Sequence, residues 1–216
     1  FLISNVKRIE ANKKKTCWKN LKKIIFVVLA VAVAAIYSYG VWPRAIYNTD
    51  IGANSYENTG KLNAGVVLTQ TFVCTDPGLC GFSIKLTKLD NQVIGTYNWS
   101  VTEATSGKEI GSGVIDESST ENKEFVSSSA QKRGNIKVTF PIQEESEGKE
   151  YILTIQGENV QEDETMAVYM TEKGKSESTM KLDGENLEKA SVIKLNYNTY
   201  KGKKNKITYQ IKNGWS

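Results

Sequence analysis

The residue types best suited to chemistry are thinly supplied in this chain. Its 216 residues include no histidine. That removes Ser-His-Asp and Cys-His nucleophile systems, imidazole general bases and His-ligated zinc in one step. Of the three cysteines, Cys17 stands far from the other two, so a four-thiolate zinc site cannot be assembled. Cys74 and Cys80 bracket Thr75-Asp76-Pro77-Gly78-Leu79. Asp-Pro-Gly is strong turn chemistry, with Pro presetting φ and Gly supplying φ > 0. The chain is expected to fold back there and to close a Cys74–Cys80 disulfide, given an oxidising compartment. So short a loop gives the bond on the order of 2 kcal/mol. The CxxxxxC spacing, without a flanking base, is not that of a redox-catalytic pair.

Hydrolysis of a glycan by acid and base needs two carboxylates across a cleft. Glu144-Glu145, Glu147, Glu150 and Glu162-Asp163-Glu164 form clusters, but in turn-like segments where solvated charge is the simpler explanation. No Ser-x-x-Lys in a helical context offers another nucleophile. No DxDxDG calcium loop is present. Asp76 and Asp90 are the only loop acids near strand ends in the first half, so a structural calcium would have no assignable ligands, and no other cofactor is expected. These features describe a protein that is not an enzyme.

Binding chemistry is better represented. Stacking on a sugar needs exposed rings, with amides and charged groups alongside to bond its hydroxyls. Tyr97, Trp99, Tyr151 and Tyr209 alternate with polar residues and read as core. Tyr200 lies beside Lys201 in a turn that follows Asn196-Tyr197-Asn198, and Trp215 sits in Asn213-Gly214-Trp215. Tyr197, Tyr200, Lys201 and Trp215 are therefore the candidate ligand-binding set. Terminal disorder is the competing account of Trp215. Lys201, Lys203, Lys204 and Lys206 make a basic tip that would meet anionic wall polymers or lipid head groups, or be a plain solvated turn.

The elements that must position these residues begin with a charge asymmetry. Residues 1–23 hold eight of the 28 Lys and Arg and a single acid, Glu10, which leaves the remainder at net −3. The overall pI therefore says nothing of nucleic acid, and no nucleic-acid partner is expected. The basic tail runs into an uncharged stretch from Ile24 to Trp42, about 28 Å as a helix at about 1.5 Å per residue. That length suits a bilayer core, with Tyr37, Tyr39 and Trp42 at the far end and Pro43 as a stop. The basic side stays cytoplasmic and the body is exported. A cleaved signal peptide, with Val33-Ala34-Ala35 as its small-residue site, is the rival. Both place the body outside. Cys17 near the inner face reads as a plain reduced thiol, with palmitoylation as the alternative. A chain starting at Phe1 rather than Met reads as a piece of a longer one.

Residues 43–64 are polar and read as a stalk. From Gly65 period-2 alternation dominates. Phe82-Ile84-Leu86, Tyr97-Trp99-Val101, Ile136-Val138-Phe140-Ile142, Tyr151-Leu153-Ile155, Ile193-Leu195-Tyr197 and Ile207-Tyr209-Ile211 each mark a strand. Further strands fit 66–73, 108–115 and 166–172. Residues 116–134 read as a long connection pinned by Phe125-Val126, and 183–190 as one or two helical turns. One-sided alternation in many short segments predicts an all-β fold, an antiparallel sandwich over 65–212 behind a single N-terminal transmembrane helix.

The order of motifs in 65–172 resembles extracytoplasmic, carbohydrate-binding-module-like β-sandwiches of Gram-positive cell-envelope and surface-polysaccharide membrane proteins. The motifs are Gln70-Thr71-Phe72, Gly81-Phe82-Ser83-Ile84, a strand with Tyr97 and Trp99, a Gly107-Lys108 turn, and Ser146-x-Gly148-Lys149-x-Tyr151-x-Leu153. The resemblance implies a jelly-roll-like sandwich, and binding or scaffolding rather than catalysis. Its partners would be the bilayer and a cell-wall or capsular polysaccharide. The alternative is a protein–protein interaction or accessory subunit of a membrane complex, with another membrane protein as partner. A glycan-processing enzyme is the third and weakest reading.

Overall fold

The computed structural model describes residues 2–38, 44–47, 57–90, 93–121, 125–128, 131–173 and 178–199. The chain divides into two compact units, 1–41 and 42–216. The first is a single helix, α1 (Leu2–Ser38). In it Lys22 places its ammonium 5.5 Å from the centre of the Trp18 ring, one turn away. Among the described residues no helix is long and apolar enough to cross a membrane. From Ile24 to Ser38 the uncharged part of α1 covers about 22 Å, against about 30 Å for a hydrocarbon core. The expected continuation to Trp42 lies outside the described residues.

The second unit is two antiparallel sheets. Its strands are β1 (Arg44–Tyr47), β2 (Glu57–Asn58), β3 (Val67–Val73), β4 (Leu79–Lys88), β5 (Thr96–Glu103), β6 (Glu109–Ile115) and β7 (Phe125–Ser128). They continue with β8 (Gln131–Gln143), β9 (Glu150–Asn159), β10 (Met166–Glu172), β11 (Met180–Leu182), β12 (Glu185–Asn186), β13 (Lys189–Ser191) and β14 (Ile193–Tyr197). One sheet runs β12-β11-β3-β9-β5-β6. The other is built on β4, with β8 and β7 on one side and β14, β1, β10, β13 and β2 on the other. Every strand expected up to residue 197 is present, while the strand expected at 207–211 lies outside the described residues.

Alternation decides what each strand buries. Phe82, Ile84 and Leu86 of β4 meet Tyr97, Trp99 and Val101 of β5 and Tyr151, Leu153 and Ile155 of β9 in one core. Burying each large apolar side chain contributes roughly 1.5–3 kcal/mol. Trp99 meets Phe82 edge-on at 5.5 Å and Phe140 at 6.4 Å. The facing strand β6 makes room with glycine, since a Cβ on Gly113 would stand 2.9 Å from the Trp99 ring and one on Gly111 2.6 Å from Phe140.

The two sheets are joined by polar hubs. Ser146, fully buried, donates its hydroxyl to Asp76 O at 2.9 Å and accepts from Leu79 N at 3.0 Å. It thereby fastens the β8–β9 turn to the β3–β4 turn, which also exchange backbone bonds between Cys74 N and Lys149 O and between Gly148 N and Cys74 O. Gly78 has φ +85° and lies so close to the segment after β14 that a Cβ would stand 2.3 Å from Asn198 O. Tyr97 donates to Leu62 O at 2.8 Å and accepts from Met166 N at 3.0 Å. Gln70 accepts from Ser191 N across the sandwich at 2.8 Å. Lys88, almost wholly buried, pairs with Glu117, whose other oxygen accepts from Ile94 N at 3.0 Å.

Several expectations are corrected. The segment 43–64 is not a bare stalk: β1 pairs with β14, β2 pairs with β10, and Leu62 is 1% exposed in the core. The connection 116–134 contains a 3₁₀ turn, Glu117–Thr120, capped by Asp116, and then β7, which pairs with β8. The stretch 183–190 is not helical. Asp183 and Gly184, both at positive φ, close a tight hairpin in which Leu182 faces Glu185.

The expected Cys74–Cys80 disulfide is absent, and both residues are thiols. The turn forms, but the pleat separates the side chains. Cys74 enters the core, whereas Cys80, next to core-facing Leu79, points to the other side of β4 and donates to Asn196 O at 3.3 Å. Burial pushes the Cys74 thiol up to about 12, so it stays protonated and inert at neutral pH. Native protein is expected to show Cys74 protected from iodoacetamide, with both Cys74 and Cys80 alkylated in guanidinium without reductant. A pair that resists labelling when unfolded would contradict this. Ser146→Ala is expected to cost about 1–3 kcal/mol by stranding Leu79 N, read as a Tm lower by several degrees; an unchanged Tm would contradict the hub.

Candidate functional site

Of the four residues expected to bind ligand, Tyr197 is fully buried. Its parity on β14 matches Ile193 and Leu195, so the ring packs in the core and its hydroxyl accepts from Thr75 N at 3.4 Å. Burial, then the nearby Cys74, pushes its pKa well above the ordinary phenol value. A ring so enclosed presents no face to a sugar. Tyr200, Lys201 and Trp215 lie outside the described residues, as does Tyr209. Tyr97, Trp99 and Tyr151 are core residues, in agreement with their alternation.

The loop acids considered for calcium have protein partners. Asp90 pairs with Lys61 at 3.0 Å and accepts from Thr165 at 2.9 Å, and Asp76 accepts from the Thr75 hydroxyl at 3.1 Å. Among the described residues no three His, Cys, Asp or Glu side chains come together as a metal site.

The structure instead draws attention to the outer face of the six-stranded sheet. Where Tyr97, Trp99 and Val101 turn inward, Asn98 and Ser100 must turn outward, and β6 and β9 repeat the pattern. Registration then sets two rows across three strands. Val114 of β6, Asn98 of β5 and Gln156 of β9 form one; Ser112, Ser100 and Thr154 form the other. Adjacent strands stand about 4.8 Å apart, so each row spans about 10 Å. Together they line a groove of about 410 Å³, with the Trp99–Gly113 pair beneath it.

This groove is polar without being basic. No Lys or Arg lines it among the described residues, and Glu109 is its one charged lining residue. Ser112, at the end of one row, donates to Glu109 at 2.6 Å, and Asn98, in the middle of the other, donates to Glu158 at 2.9 Å. Among the described residues the hydroxyls of Ser100 and Thr154 and the amide of Gln156 have no protein hydrogen bond and are left to solvent or ligand. Sequence reasoning passed over these residues because it looked for rings. The signal was the polar half of the same alternation.

Three carboxyls are held below their ordinary values: Asp90 mainly by Lys61, Glu103 mainly by the Ser106 hydroxyl and then Lys149, and Asp116 mainly by Ser118. No family model matches the chain, and no curated protein matches it.

These three shifts set a pH dependence. Each carboxyl is more acidic folded than unfolded, so its stabilisation is complete above the unfolded range, about 4, and is lost as pH falls through the lower folded values. Thermal melts of the body are expected to be flat between about pH 5 and 7 and to fall below about pH 4. A Tm that rises on acidification would contradict the assignment.

Proposed function

We propose that the chain is a non-catalytic binding module of the cell envelope, tethered to the membrane through 24–42, whose sandwich is jelly-roll-like and takes a polysaccharide on its outer face. The observation that carries this reading is the groove over β5, β6 and β9. It offers the amides of Asn98 and Gln156 and the hydroxyls of Ser100, Ser112 and Thr154 in two registered rows, on a rigid sheet with an aromatic core directly beneath. A site on strands loses little entropy on binding, because the sheet already holds its side chains in place. The absence of lysine from the groove favours an uncharged stretch of wall or capsular glycan over a polyanion. The tether rests on the apolar run behind eight basic residues, which argues for an N-terminus inside and a body outside.

A second reading, an accessory subunit that scaffolds another membrane protein, draws on one feature. Strand β6 is a sheet edge and presents Val114, 49% exposed, beside the groove. An extended segment of a partner would add there as a further strand.

The test is calorimetry of residues 42–216, which form a compact unit with their own core, against fractionated neutral wall polysaccharides. Saturable binding is expected, weakened several-fold by Asn98→Ala or Gln156→Ala, as loss of one hydrogen bond of about 1 kcal/mol would give. Absence of heat across all fractions would sink the glycan reading. Copurification of a membrane protein that is lost when Val114 becomes Lys would support the second.

A further inference from the structure

The hydroxyl row in the groove does not stop at β9. Thr154 of β9 stands opposite Thr69 of β3, Thr69 opposite Lys181 of β11, and Lys181 opposite Asn186 of β12. On the other side of Thr154 come Ser100 and Ser112. One line of outward polar side chains therefore crosses the six-stranded sheet from edge to edge, and none of the six is buried. At a strand spacing of about 4.8 Å the line is about 24 Å long, against about 10 Å within the groove.

Side-chain size gives the line a direction. Its four central members, Thr69, Thr154, Ser100 and Ser112, are all small. The register sets Gln156, Asn98 and Val114 along one flank, and Ile152 and Glu109 along the other. Outward along β9 the order is thus Ile152, Thr154, Gln156: large, small, large. A polymer laid along a strand would ride over these ridges, whereas one laid across the strands rests in the trough between them. The trough also keeps hydrogen-bonding capacity to spare. Among the described residues the hydroxyls of Thr69, Thr154 and Ser100 and the ammonium of Lys181 have no protein partner. Lys181 alone brings three N–H donors. The next outward hydroxyl of β3, Thr71, is by contrast engaged by Thr179, whose backbone N donates to it at 2.7 Å. The four central members carry no charge, which suits a neutral polyhydroxyl chain. An apolar occupant would strand their hydroxyls.

We propose that a neutral glycan chain lies across the strands along this whole line, with Thr69 and Lys181 as its far contacts, so that the β3–β11 half of the sheet belongs to the site. The inference rests on the glycan-binding function proposed above and adds an orientation and a minimum length to it. A fragment that fills only the groove touches β5, β6 and β9 and misses Thr69 and Lys181. The sheet holds every contact in advance, so a longer chain gains contacts without a new ordering cost in the protein.

The experiment uses the full chain in micelles of a detergent without a sugar head group. It is titrated calorimetrically with neutral Gram-positive wall polysaccharide, cut and sized to two, four, six and eight sugars. Affinity is expected to rise at least tenfold from the shortest fragment that binds to the longest. Thr69→Val, which keeps the β-branched shape, and Lys181→Met, which keeps the stem, are each expected to weaken the eight-sugar fragment at least threefold and to leave the shortest binding fragment unchanged. Asn98→Ala is expected to weaken both. Lys137→Met, at an exposed position of β8 in the other sheet, is expected to weaken neither. Affinity independent of length, or a length gain that survives both Thr69→Val and Lys181→Met, would overturn the proposal; the groove would still stand as a glycan site if Asn98→Ala weakened the fragments. No heat at any length would overturn both.

Discussion

The hydroxyl of Ser146 is the small group on which the two-sheet arrangement turns. Two connections, β3 to β4 and β8 to β9, leave one sheet for the other at the same end, and each exposes backbone groups that neither sheet can satisfy. Ser146 serves both at once, donating to Asp76 O and accepting from Leu79 N, while the chains around it trade bonds between Cys74, Gly148 and Lys149. Gly78 completes the junction by letting the segment after β14 pass against the turn, with Asn198 N donating to Gly78 O at 2.7 Å. A buried backbone group without a partner is costly. The crossing is therefore possible only where these particular residues meet, and the core aromatics on either side, Phe72 and Tyr151, take their positions from it.

Once the sheets are held, alternation divides labour between their faces. Inward positions on β5 and β9 are committed to packing against Phe82, Trp99 and Phe140, and the glycines of β6 exist to admit those rings. Outward positions on the same strands carry no such duty. That they hold Asn98, Ser100, Ser112, Thr154 and Gln156 is a choice packing does not dictate, and it gives the functional reading its weight. The hydroxyl rows and the aromatic layer are two sides of one registered sheet, so the spacing of the first is set by the stability of the second.

The sequence made the strands legible because each is half-buried, and a period of two survives wherever one face meets a core. It was less informative where strands are short or where geometry beyond the strand decides. Residues 57–58 pair with β10 although two residues carry no periodicity, and Leu62 is a single core residue in a polar stretch. The Asp183-Gly184 hairpin was readable, because Asp-Gly is the strongest short turn signal, yet 183–190 read as one or two helical turns. The disulfide inference took the turn correctly and missed the pleat, which sends neighbouring side chains to opposite faces. Tyr197 failed as a ligand residue for the same reason that Tyr97 succeeded as a core residue: both share parity with their strand's apolar positions.

The claim that most needs testing is that the outer face of β5, β6 and β9 is where this protein meets its ligand. Amide chemical shifts of isotopically labelled residues 42–216, followed through a titration with neutral wall polysaccharide fragments, address it residue by residue. Shifts concentrated at Asn98, Ser100, Ser112, Thr154 and Gln156 are the predicted result. Shifts confined to the opposite sheet, around Ser83 and Lys137, or none at saturating ligand, would contradict it.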